Sequence, residues 1–333
     1  MKNEQTILDI KNLGVSFHFD GKPAMVIRDV SFSVKKNEIL GIVGESGSGK
    51  SVTAKTILRL IPDPPGHIEH GQVIFKGEDV LKMKPRDLCK LRGDRISMIF
   101  QEPMTSLNPL FTCGSQIAEA IMIHQHVSKK EEKARAIDLL EKVGIPMAEK
   151  RYHAYPHELS GGMRQRVMIA IALSCSPELL IADEPTTALD PTIQSQILQL
   201  MKQLQRDNGM SVMLITHDLG VVAETCDRVI VLYGGMIMEE ANVRDLFHHP
   251  LHPYTMGLMK AIPHVHKNVD RLYTIRDNVP HFTEMPKGCP FHTRCPFAID
   301  ACKEERPPFV VRENGHGTAC VRYAEIEKGE LSL

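Results

Sequence analysis

Residues Glu38–Ser51, EILGIVGESGSGKS, begin as a nearly unbroken apolar run. They end in a loop with glycine at 44, 47 and 49, followed by Lys50 and Ser51. The run has the length and texture of a strand buried on both faces. Closely spaced glycines let successive backbone N–H groups turn inward on a phosphate. A lysine here reaches the β- and γ-phosphates, and the adjoining serine hydroxyl ligates Mg²⁺. So short a motif can arise by accident, but the helical apolar spacing of Ser51–Leu60 supplies the strand–loop–helix setting the chemistry needs. Gly44, Ser46, Gly47, Ser48, Gly49, Lys50 and Ser51 are therefore the candidate phosphate contacts.

Upstream, ILDIKNLGVSFHF (7–19) and VIRDVSFSV (26–34) alternate apolar and polar residues around the turn DGKP, which predicts an antiparallel pair. Downstream, IPDPPG ends the helix, and QVIFKG and ISMIF are further strands. From about Cys113 to Ser176 the period becomes helical, in QIAEAIMIHQH, KKEEKARAIDLLEKVG and MRQRVMIAIALS. ELLIADEP, SVMLITHD and RVIVLYGG are short apolar strands separated by helices, the pattern of a mostly parallel α/β sheet. Beyond His248 the texture turns Pro-, His- and Cys-rich, so a boundary falls between Asn242 and Pro250.

Two further constellations carry chemistry. LLIADEP would deliver Asp183 to a magnesium ion and Glu184 to an attacking water; two adjacent carboxylates at a strand end are difficult to explain as structure, a solvated turn pair being the less favoured reading. LSGGMRQR (159–166) is a second anion-binding helix start, with Ser160, Gly161 and Gly162 leaving backbone N–H groups open. With one nucleotide already assigned to Lys50 and Asp183, this second cradle has nothing to bind within its own chain, which points to another polypeptide. An isolated Ser-Gly-Gly would read as an ordinary helix cap.

With these motifs in order from Ile7 to about Ala241, the sequence resembles the ATP-binding cassette (ABC) family. The resemblance implies a P-loop nucleotide-binding domain over residues 1–245, with a RecA-like core, an antiparallel β subdomain and a helical subdomain at about 103–176. A small Cys-rich extension follows at 246–333. It further implies that two such domains pack head to tail, the Ser160–Gly162 signature of one closing on the γ-phosphate held by the other. On the same basis Gln101 senses magnesium, His217 contacts the γ-phosphate and the attacking water, and Asp190 lies in the loop that crosses to the partner. Phe17 is the choice for stacking on adenine, with Phe19 as the alternative. Two departures stand out: Met163 in place of a frequent glutamine, and Asn37 in place of a glycine, an exchange asparagine tolerates. LSGGMRQRV resembles the peptide and nickel importer ATPases, and no catalytic position is degenerate, so active ATP hydrolysis with Mg²⁺ is expected.

The tail places Cys289, Cys295, Cys302 and Cys320 with five, six and seventeen residues between them. Structural zinc favours closer pairs, and spacing alone leaves an iron–sulfur cluster, zinc or free thiols open. HPLHPYTMGLMKAIP and GCPF with RC resemble the C-terminal extension of oligopeptide and dipeptide importer ATPases, one subunit type of which holds a 4Fe–4S cluster. That resemblance favours the cluster; nearby His292 and His316 are alternative ligands but read rather as surface residues. Cys89, Cys113, Cys175 and Cys226 read as ordinary core residues.

Composition bounds the function. Forty Lys+Arg against 41 Asp+Glu give a net charge of −1, which opposes a nucleic-acid partner. No apolar run reaches the length of a membrane span, and the polar start MKNEQ lacks signal-peptide order. The expectation is an ATPase at the cytoplasmic face of the cell membrane. Its partners would be a second homologous ABC ATPase in a heterodimer, two transmembrane permease subunits reached through EPMTSLNPLF, and indirectly an extracytoplasmic binding protein. Peptides are the first expectation for cargo, with nickel, glutathione and sugars sharing these motifs. A non-transport ABC ATPase on ribosomes or DNA would ordinarily carry two cassettes or long coiled coils, and a simple P-loop kinase would not need LSGGM.

Overall fold

A computed structural model describes residues 5–19, 21–101, 106–187, 189–262 and 273–333. In chain order it forms β1 (Thr6–Phe19), β2 (Lys22–Lys35), β3 (Ile39–Val43), α1 (Lys50–Ile57), β4 (Gly66–Phe75), β5 (Glu78–Asp79), α2 (Pro85–Leu91) and β6 (Ile96–Ile99). The middle holds α3 (Cys113–His124), α4 (Lys129–Lys142), α5 (Ala148–Tyr152), α6 (Gly161–Leu173), β7 (Leu179–Asp183), α7 (Pro191–Asn208) and β8 (Ser211–Thr216). Then come α8 (Leu219–Thr225), β9 (Arg228–Tyr233), β10 (Met236–Asn242), α9 (Val243–His248) and α10 (Pro253–Lys260), and the tail adds β11 (Val310–Val311) and β12 (Gly317–Thr318) among short turns of helix. Of EPMTSLNPLF, residues 102–105 lie outside the described residues.

The chain folds as two compact units. The first centres on Lys82–Ile215. Its strands β6, β7 and β8 run parallel, Ile96 opposite Leu179 and Leu179 opposite Ser211. Every residue of β7 and β8 is buried, the reason both read as continuous apolar runs without alternation. Three of the helices between β6 and β7, α3, α4 and α6, begin at hydroxyl caps. Thr112 Oγ1 accepts from Ser115 N at 3.3 Å, Ser128 Oγ from Glu131 N at 3.3 Å, and Ser160 Oγ from Met163 N at 3.4 Å.

The second unit combines Leu8–Val34, Ile39–Leu81 and Thr216–Leu333. One sheet has the order β2-β1-β4-β5, with β1 antiparallel to β4. Elsewhere β3 runs parallel to β9, β9 folds back on β10, and β10 pairs with β12 and β12 with β11, both antiparallel. The tail thus adds two short strands beside β10. Its Phe291 and Cys289 enter the same core cluster as Val43, Tyr233 and Tyr254.

Candidate functional site

In the second unit β3 carries the chain into the glycine loop, and α1 starts directly after Gly49. A Cβ on Gly44 would lie 2.1 Å from the carbonyl oxygen of Leu232, so only glycine permits the loop to pass so close to β9. Lys50 is buried, and its ammonium donates to the carbonyls of Gly44 at 2.7 Å and Glu45 at 2.9 Å. The Ser48 hydroxyl is buried with no hydrogen-bond partner among the described residues, a polar atom left over in a cradle shaped for an anion. Ser46, Gly47 and Ser51 complete the loop. His217 stands exposed just beyond β8, and Asp218 beside it caps α8 by accepting from Gly220 N at 2.8 Å. Phe17 is half-buried near the end of β1, 6.4 Å from Phe19, whose ring meets His281 edge-on at 5.1 Å.

In the first unit Asp183 is buried at the end of β7. Glu184 follows at φ +47°, a conformation that a side-chain-bearing residue adopts at a cost of ~1–3 kcal/mol and that clusters at functional sites. Its N–H donates to Ile215 O at 2.9 Å and its carbonyl accepts from Thr187 N at 3.2 Å, while Gln101 Nε2 and Thr187 Oγ1 donate to its Oε2 at 3.0 and 2.9 Å. The carboxylate is thus aimed by Gln101, which the sequence singled out, and by Thr187, which it did not. A hydroxyl three residues beyond an acidic pair was the available signal.

At the second cradle, Ser160 and Gly161 are exposed where α6 begins. Asp190 caps α7, its Oδ1 accepting from Ile193 N at 3.0 Å. The two helix starts touch: a Cβ on Gly162 would stand 2.8 Å from Ile193 Cγ2. Glycine at 162 thus has a packing reason, whereas at Gly161 an added Cβ would meet only Leu189, at 3.8 Å.

Cys289, Cys295, Cys302 and Cys320 all line one mostly apolar pocket, together with Phe291, Phe297 and His252, and all four thiols are free. Burial pushes Cys289 up to about 12, Cys295 to about 11 and Cys320 to about 12, and the mutual repulsion of neighbouring thiolates adds to it. Among the described residues no group of three or more His, Cys, Asp or Glu side chains is arranged to hold a single metal ion. His316 is buried, not the surface residue the sequence suggested, because it pairs with the buried Glu239 carboxylate, 2.7 Å from Oε1.

Comparison with known proteins places these features. Over 71% of this chain and 99% of its own length, the dimeric ATP-binding cassette MJ0796, solved in a post-hydrolysis state with ADP and Pi, superposes at a TM-score of 0.64 and 30% identity. The fold is that of an ABC nucleotide-binding domain. Residues 27–187 match the ABC transporter family, and residues 238–302 match the oligopeptide/dipeptide transporter C-terminal region. A "Probable peptide ABC transporter ATP-binding protein" of Sinorhizobium fredii is 52% identical over 321 residues, 96% of both chains. The oligopeptide transport ATP-binding protein AppD of Bacillus subtilis is 49% identical over 320 residues, 96% of this chain and 98% of its own. OppD of Escherichia coli is 46% identical over 319 residues, 96% and 94%. The chain belongs to the ATP-hydrolysing, ATP-binding subunits of the oligopeptide/dipeptide ABC importers. Among the described residues no helix is long and apolar enough to cross a membrane.

Proposed function

We propose that this chain couples ATP binding and hydrolysis to the uptake of di- or oligopeptides. It would work as one of two homologous ATPases, a heterodimer, beneath two permease subunits at the cytoplasmic face of the membrane, with an extracytoplasmic binding protein presenting the cargo. The division of labour would be a nucleotide-binding domain over 1–245 and an extension over 246–333.

Lys50 and the loop N–H groups would neutralise the phosphates, and Phe17 would stack on adenine. Ser51, Asp183 and Gln101 offer oxygen donors suited to Mg²⁺, which supplies charge neutralisation at the phosphates when bound. Glu184 orients and deprotonates the attacking water, and His217 contacts the γ-phosphate. Ser160, Gly161, Gly162 and Asp190 serve the nucleotide held by the partner. The observation that carries this reading is the held Glu184 carboxylate, fixed by Gln101 and Thr187 in a backbone conformation that costs free energy. The exposed start of α6 supports the dimer, because an anion-binding helix end open to solvent is available to a second chain.

The four tail thiols would hold a 4Fe–4S cluster. Four cysteines that line one shared pocket supply the thiolate set that such a cluster takes. When bound, the cluster would keep buried thiols ionised and fasten a segment with little core of its own.

Detergent extraction and co-purification test the assignment. Recovery of integral membrane subunits, with ATPase activity stimulated by peptide, is expected. Recovery of ribosomal or DNA-bound material instead would refute it.

A further inference from the structure

Two side chains of the extension, Arg294 and Tyr254, reach the glycine loop. The side chain of Arg294 is 3% exposed, and each of its five N–H donors has an acceptor. Nε donates to Arg276 O at 2.8 Å. Nη1 donates to Glu45 Oε2 at 2.8 Å and Tyr233 Oη at 3.3 Å, and Nη2 to Glu45 Oε1 at 3.3 Å and Asp277 O at 3.0 Å. The cation also lies over the rings of Tyr233, at 5.6 Å, and Phe291, at 5.9 Å. Glu45 is held from a second side: its backbone N–H donates to the hydroxyl of Tyr254 at 2.9 Å. Its carbonyl in turn accepts from Lys50 Nζ. A chain of contacts therefore runs from Arg294 and Tyr254, through Glu45, to the ammonium that meets the phosphates.

We propose that Arg294 is a positioning residue for ATP: the extension, acting through the forked pair with Glu45, holds the glycine loop in its phosphate-binding shape and masks a carboxylate that would otherwise repel the triphosphate. Glu45 puts a negative charge on a loop built for an anion, and a bidentate guanidinium both cancels that charge and fixes its direction. The inference rests on the reading of Gly44–Ser51 as the phosphate cradle.

The test uses the full chain. MgATP affinity is measured by calorimetry, and KM and kcat are measured in the assembled transporter. With Arg294→Met the loop is competent for a fraction of the time and carries an unmasked charge, so MgATP binding weakens about tenfold and KM rises in step while kcat stays within about twofold. Adding Glu45→Gln removes the charge and brings the affinity back to within about threefold of wild type. Arg294→Lys, which keeps the charge but not the fork, falls in between; it also serves as the reading variant should Arg294→Met fail to fold, with relief by Glu45→Gln required in the same way. Affinity unchanged by either Arg294 variant, or loss of affinity that Glu45→Gln does not relieve, overturns the proposal. A fall in kcat and melting temperature with KM unmoved also overturns it, because that is the signature of a brace for the fold alone. A wild-type chain that binds no MgATP would instead defeat the reading of the cradle.

Discussion

Replacing each signature glycine by alanine separates packing from phosphate binding. At Gly162 the new methyl would stand 2.8 Å from Ile193 Cγ2, and at Gly161 it would meet only Leu189 Cδ2, at 3.8 Å. Carbon atoms rest at ~3.5–4.0 Å, so Ile193 has to retreat by roughly 0.8 Å. A β-branched residue in a helix has essentially one χ1 rotamer, so the displacement must come from the first turn of α7 itself. Overpacking of this kind costs ~1–3 kcal/mol, which for a chain of this size lowers Tm by about 2–6 °C. Gly161→Ala gains up to ~1 kcal/mol of helix propensity and meets no clash, so its Tm is unchanged or higher. Its turnover in the assembled transporter nevertheless falls by about 10²-fold, because a methyl intrudes where backbone N–H groups should face the partner's γ-phosphate. Scanning calorimetry of the full chain and phosphate release from the complex read the two effects. Equal destabilisation by both changes, or wild-type turnover in Gly161→Ala, would refute this reasoning.

Further outcomes are expected in the extension. Glu239 is fully buried and accepts from Leu251 N at 2.6 Å, His252 N at 3.0 Å and His316 Nε2 at 2.7 Å. In Glu239→Gln the amide nitrogen must face one of these donors, costing ~2–3 kcal/mol, and limited proteolysis should then release the tail sooner; unchanged cleavage kinetics would count against it. Burial lowers His252 to about 3, from an ordinary value near 6.5, and its Nδ1 accepts from Tyr254 N at 3.1 Å. The unfolded chain therefore binds the extra proton between those values, and stability falls with pH by ~2 kcal/mol between pH 7 and 5. His252→Asn should flatten that slope in urea titrations, and an unaltered slope would exclude His252 as its source. Cys295→Ser should strip iron from anaerobically purified protein, measured by elemental analysis; stoichiometric zinc in the unaltered chain would contradict the cluster.

What could be read in the sequence and what could not divide along physical lines. The continuous apolar runs of β3, β7, β8 and β9 and the glycine loop are local signals, and each stands where the pattern put it. Helices α3, α4 and α6 were legible for the same reason: their apolar spacing persists over three turns or more. The five-residue α5 is too short to show a period, and it went unseen. Likewise β11 and β12, at two residues each, exist through pairing with each other and with β10, a long-range property no window reveals. Among the candidate site residues, Asp183 and Glu184 could be singled out from their motif and Gln101 from the family resemblance, and the structure brings Gln101 to Glu184. The grip of Thr187 on Glu184 and the forked bond of Arg294 to Glu45 could not, because the second joins residues 249 positions apart. The packing reason for Gly162 was hidden behind the chemical role proposed for it.

The account turns on Glu184, and Glu184→Gln tests it most directly. The amide oxygen can still accept from Gln101 and Thr187 while the charge and basicity are gone, so geometry survives and chemistry does not. Phosphate release from the assembled transporter should fall by ~10²–10⁴-fold, with MgATP still bound to within about twofold of wild-type affinity. Turnover above about a tenth of the wild-type rate would remove Glu184 from the mechanism and contradict the account.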